Sequence, residues 1–205
     1  MPRIARSDYA DRHRCAGPYD PPVTPRRSLA LAGLSGALLG CGGDARGTGG
    51  ADIAGLVVER IGPYVHVVAD LDYDQPAPSG GDHLPSPYWL NCGVYEGSVP
   101  EELAVHSLEH GAVWIALGPD STEADRARAT ELADGRKVFV SDVSALADPV
   151  QLVAWGLRLP LETLDDARAE LFIDAFIDGS GAPEAGSSCG SPFGDPPDPP
   201  VLDFG

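Results

Sequence analysis

Ser98-Val-Pro-Glu-Glu-Leu-Ala-Val-His-Ser-Leu-Glu-His-Gly-Ala-Val-Trp-Ile-Ala-Leu117 holds a helix, its stop and a strand within twenty residues. Ser98 and Glu101 have the spacing of a capping box, and Pro100 is tolerated in a first helical turn. The helix is predicted to run to His110, where Gly111 is a natural C-terminal stop. The apolar run 112–117 reads as a buried strand. Upstream, 64–68 (Tyr-Val-His-Val-Val) is a short β-rich run. Residues 72–98 form a long loop, with prolines and glycines concentrated between Pro76 and Gly81. Long loops in compact domains tend to carry function. Downstream, 122–133 is a charged amphipathic helix, and 137–141 and 151–158 are strands. Residues 165–178 are a helix with Leu171, Phe172, Ile173 and Phe176 on its apolar side. This order predicts an α+β fold: a small mixed β-sheet with helices packed on it and a long loop before the histidine-bearing helix. The strand–helix–strand unit at 112–141 makes a right-handed crossover if its strands are parallel.

Composition bounds the rest. The chain has 205 residues, 43% of them hydrophobic, which is enough for one domain with a core. The formal charge of −17 is uneven. The first forty residues carry six arginines and three aspartates, so the other 8 basic and 28 acidic residues leave −20 on the remainder. Such a surface repels phosphate backbones and speaks against nucleic-acid binding.

Residues 1–40 read as a signal peptide of the lipoprotein type. Arg26-Arg27 precede a twelve-residue apolar run from Leu29 to Gly40, shorter than the roughly twenty residues of a membrane-spanning helix. Leu38-Leu39-Gly40-Cys41 resembles a lipobox, which would make Cys41 the lipidation site and the membrane a partner. An ordinary signal peptide with a chance cysteine is the alternative. The twin arginine resembles a Tat signal, although Pro25 and Leu29 depart from the consensus and arginines there also suit Sec export. Residues 41–52 read as a flexible tether, 53–190 as a single α+β domain, and 191–205 as a Pro/Gly-rich tail. The chain is thus expected to be exported and lipid-anchored at the cell envelope. Cys92 and Cys189 remain in an oxidising compartment, where a disulfide is favoured. Cys92 as a metal ligand or as a nucleophile are the rivals.

The four histidines beyond the leader all lie between His66 and His110. At 100° per residue, His106 and His110 sit 40° apart on one helix face, with Glu109 and Glu102 on the same side. Imidazole and carboxylate together suit zinc, copper, iron or nickel. His83 is the favoured third ligand, followed by His66, and Glu109 or Glu102 is a ligand or a partner of one. The site is therefore expected to hold a divalent transition metal, zinc or copper. The chain beyond the leader has no methionine, which counts against a thioether copper(I) site. Without a metal, His106 and His110 would cap the helix carbonyls and pair with Glu109. His-x-x-Glu-His also matches the inverzincin pattern, in which Glu109 would activate water in a zinc hydrolase. Five residues with three fixed positions recur by chance, and no further inverzincin context is visible.

Several motifs together resemble a bacterial family known only as domain of unknown function 3105. They are Tyr73, Pro78-Ser79-Gly80-Gly81-Asp82-His83, Asn91-Cys92-Gly93-Val94-Tyr95, Val105-His106-Ser107-Leu108-Glu109-His110-Gly111, Ala154-Trp155-Gly156, and Pro183-Glu184 with Cys189. The resemblance covers about residues 59–190. Ala77 and Gly81 depart from the usual loop, while Ser79, Gly80 and His83 keep its frame. It implies an exported or membrane-anchored protein and no particular activity. The function expected from the sequence is thus an envelope lipoprotein with a histidine-based metal site. A zinc-dependent hydrolase and a metal-free interaction lipoprotein with structural histidines are the alternatives.

Overall fold

The computed structural model describes residues 52–179, 181–190 and 193–204. The leader, Cys41 and nearly all of the tether lie outside these residues. Among the described residues no helix is long and apolar enough to cross a membrane.

The fold of the described residues is α+β, a mixed six-stranded sheet with three helices. The elements are β1 (Val57–Val58), β2 (Gly93–Val94), α1 (Glu101–Glu109), β3 (Val113–Leu117), α2 (Glu123–Ala133), β4 (Val138–Asp142), β5 (Val150–Ala154), β6 (Leu157–Leu161) and α3 (Ala167–Phe176). Strand order is β1-β6-β5-β3-β4-β2. β3 pairs parallel with β4 (Trp114 opposite Phe139) and antiparallel with β5 (Trp114 opposite Val153). The parallel pair makes the 112–141 unit a crossover through α2, as its spacing suggests.

Alternation along the strands splits the apolar residues between two cores. Val113, Ile115 and Leu117 join Val138, Val140 and Leu152 beneath α2 and α3. Trp114 and Ala116 join Phe139 and Val153 on the other face, covered by α1 and the long loop through Leu84 and Leu90. Both faces are sealed, so every residue of β3 is buried. α1 lies between the sheet and the loop and is buried from Glu102 to Glu109.

Four readings of the sequence are corrected. Ser98 does not cap α1: Pro100 is the N-cap, and no side chain bonds there. The Glu101 carboxylate instead accepts the Ala77 N–H at 3.0 Å, which ties the loop to the helix start. Residues 64–68 form no strand beyond one bridge, His66 with His83. Residues 151–158 are not one strand but the arms of a hairpin, β5 and β6, turning at Trp155-Gly156. Gly156 takes φ +71°, a conformation disfavoured for other residues. Leu171 is exposed rather than on the apolar face of α3. The stop at Gly111 follows its grammar closely. Gly111 has φ +90°, its N–H bonds Leu108 O at 2.9 Å, and the Ala112 N–H bonds Ser107 O at 3.0 Å. This is a Schellman motif. Residues 193–204 fold back on the domain. Leu90 bridges Phe193, the Glu96 N–H bonds Pro197 O at 2.8 Å, and Leu202 and Phe204 pack on the second core.

Candidate metal centre

The loop that carries His66 and His83 is braced by its own backbone bonds and fixed to α1 by the carboxylates of Glu101 and Glu102. Val67 N–H donates to His83 O at 2.8 Å, and His83 N–H to Val65 O at 3.3 Å. This parallel bridge sets the two imidazoles side by side, with ring centres 4.5 Å apart. Glu102 accepts the Leu71 N–H at 2.9 Å. Ser79 O receives the Gly156 N–H at 2.8 Å, so the β5–β6 turn props the loop from the far side. Trp155 in that turn stands 5.9 Å from the His83 ring and 5.0 Å from Tyr64.

The result is a cluster of His66, His83, His106 and Glu109. One ligand atom from each lies within 4.8 Å of all the others, a set that can hold a metal ion. His83, His106 and Glu109 are buried, while the His66 side chain is 34% exposed and forms the open side. Glu109 is the hub. Its Oε1 accepts the Tyr64 hydroxyl at 2.7 Å. Its Oε2 lies 2.9 Å from His83 Nε2 and 3.2 Å from His66 Nε2.

The tautomer of His83 is set by its other nitrogen. Nδ1 is 2.8 Å from Gly81 O, and a carbonyl only accepts, so Nδ1 carries a proton. Nε2 then turns its remaining site toward a buried carboxylate, and only a cation between them, a proton or a metal, makes that contact favourable. A ring N–H held by a backbone carbonyl is the usual support of a metal-bound imidazole. His106 Nδ1 is buried with no hydrogen-bond partner.

Electrostatics follow from this packing. Burial, and then the neighbouring His83 and His110, lower the His106 pKa to about 3, so this imidazole is neutral at physiological pH, as a ligand must be. The hydrogen bond to Glu109 raises the His66 pKa against the effect of burial, and the charge of Glu184 adds to the rise. Burial pushes Glu109 upward, but His66, His83 and Tyr64 outweigh it and hold its carboxyl well below the usual range.

The other residues singled out from sequence lie beside the cluster. His110 is turned away from it: Nδ1 lies 3.1 Å from Ser188 O and Nε2 3.4 Å from the Glu184 carboxylate. Glu102 supports the loop through Leu71. Cys92 and Cys189 form a disulfide with Cα atoms 5.5 Å apart, which removes Cys92 as a ligand or nucleophile. Sequence reasoning missed Tyr64 as a partner of Glu109, although the alternation of 64–68 put it on the face of His66. It also missed Trp89, whose ring lies 5.4 Å from His106 and 4.7 Å from His110; no pattern marked that residue.

A family described as "Protein of unknown function (DUF3105)" matches residues 66–191. The chain belongs to this family. The match begins at the first cluster histidine and takes in the other three cluster residues, His110 and both disulfide cysteines. No curated protein and no solved structure matches the chain.

Proposed function

We propose that this DUF3105 chain is an exported, lipid-anchored envelope protein that holds one transition-metal ion, zinc or copper, on His66, His83, His106 and Glu109. The observation that carries the reading is the convergence of three imidazoles and one carboxylate, one imidazole with its second nitrogen already committed to a carbonyl. Three nitrogens and one oxygen match the preferences of zinc and copper(II). Bonds of about 2.0–2.1 Å in a tetrahedral site put ligand atoms about 3.3 Å apart. The two Glu109 contacts are already near that spacing, and the widest pair, 4.8 Å at most, closes by up to about 1.5 Å. The lipid anchor is supported by Arg26-Arg27, the apolar run and Cys41, and a disulfide fits an oxidising compartment.

The hydrolase reading draws less support. The inverzincin pattern needs His106 and His110 on one ion with Glu109 free to activate water. Here His110 faces Glu184, and both Glu109 oxygens are engaged inside the cluster.

The test is metal analysis of full-length protein purified without an affinity tag, followed by zinc and copper titration. One ion per chain is expected, and it is lost in His83→Ala/His106→Ala. Failure of the wild-type protein to take up either ion would overturn the reading and leave the histidines structural.

A further inference from the structure

We propose that His110 and Glu184 form an outer cation station through which a divalent ion reaches the inner cluster; this rests on the metal-binding reading of that cluster. Among the described residues His110 is the one histidine outside the cluster, yet it is built like a ligand. Its Nδ1 lies 3.1 Å from Ser188 O, so that nitrogen carries the proton and Nε2 points to the Glu184 carboxylate at 3.4 Å. His83 repeats the arrangement, with Nδ1 on a carbonyl and Nε2 beside Glu109. The two differ in burial. The Glu109 side chain is 2% exposed and that of Glu184 is 50% exposed.

His106 joins the two pairs, with its ring centre 4.7 Å from His110 and 5.0 Å from His83. Glu184, His110, His106 and His83 thus form a series of short steps from solvent to Glu109. The outer end is held in place. Glu184 N–H donates to Glu109 O at 3.0 Å. Lys137 Nζ donates to His110 O at 2.7 Å and to Ser187 O at 2.6 Å, and Cys189 is bridged to Cys92. The half-exposed carboxylate captures a hydrated cation, and imidazole then replaces its water. This sequence suits zinc or copper(II), which take oxygen and nitrogen ligands alike.

Stopped-flow tryptophan fluorescence tests the station, because Trp89 touches both His106 and His110. Zinc or copper(II) is mixed with metal-depleted full-length protein. In Glu184→Gln, a surface change, filling of the tight site slows by about ten-fold or more, in the range by which a focused charge speeds encounter. His110→Asn slows it similarly. His83→Ala/His106→Ala loses the tight ion and keeps a weak, fast phase. Rates within about two-fold of wild type in both outer variants would overturn the relay while leaving the metal site standing. Failure of wild type to bind either ion would overturn the metal site and the relay together.

Discussion

The two faces of the sheet are made from the same strands and serve different ends. Under α2 and α3, the residues sent inward are Val113, Ile115, Val138, Val140 and Leu152, closed by Phe172 and Ile173. Under α1 and the loop, the same strands send Trp114, Phe139 and Val153, with Ser141 and Gln151 among them. The buried Ser79, His83, His106, Ser107 and Glu109 also lie on this second side, on α1 and its covering loop. The difference shows where folding energy and where chemistry are placed. One face carries nearly pure hydrophobic burial, and the other tolerates buried polar groups because each is met by a partner, with His106 Nδ1 the exception within the cluster.

The largest effect expected to break this contrast is removal of the disulfide, which staples the second face. Cys92→Ser/Cys189→Ser opens a closed loop with a sequence separation of 97. The expected cost is about 4–5 kcal/mol in denaturant unfolding. Phe172→Ala, fully buried on the first face, is expected to cost about 4 kcal/mol while leaving zinc affinity as in wild type. A fall in affinity there, seen by titration calorimetry, would mean that the two faces are coupled. Glu109→Ala should lower stability and metal affinity together. It removes the partner of Tyr64, His66 and His83, at a cost of about 3 kcal/mol without metal, and abolishes tight metal uptake.

The smallest effect sharpens the comparison on the apolar side, where, among the described residues, Asp125 is the one buried charge at the edge. It completes the α2 capping box with Thr122 and accepts from Thr163 Oγ1 and the Leu164 N–H, both at 2.8 Å. Burial raises its pKa, but the bonds from Thr122, Leu164 and Thr163 outweigh this and lower it to about 2 from 3.8. A carboxylate with a depressed folded-state pKa stabilises the fold above its unfolded value. Its contribution is therefore complete above about pH 5 and lost as pH falls through about 2. Asp125→Ala is expected to cost about 2 kcal/mol at pH 7 and to unfold with less acid sensitivity than wild type, as followed by circular dichroism.

Local grammar was legible wherever the deciding interaction is local. Gly111 as a stop, the strands at 113–117 and 138–142, and α2 each follow from nearest neighbours and periodicity. The failures are as instructive. Ser98 and Glu101 have capping-box spacing, yet the loop offers Glu101 the Ala77 N–H, and that distant donor wins. The 151–158 run is apolar between Gln151 and Arg158, and the turn at Gly156, met by Ser79 and Glu59, divides it into a hairpin.

The sequence by itself determined that a helix carries imidazoles and carboxylates on one face and that the remaining histidines lie on the preceding loop. Periodicity allows Glu109 and His110 alike beside His106, because i+3 and i+4 are both neighbours on a helix. Tertiary structure decided between them. The 66–83 loop, pinned by Glu101 and Glu102, lies on the Glu109 side of α1, and the segment around Glu184 lies on the His110 side. Which side chain joins a cluster depends on what packs against each flank of the helix, and those partners come from far along the chain.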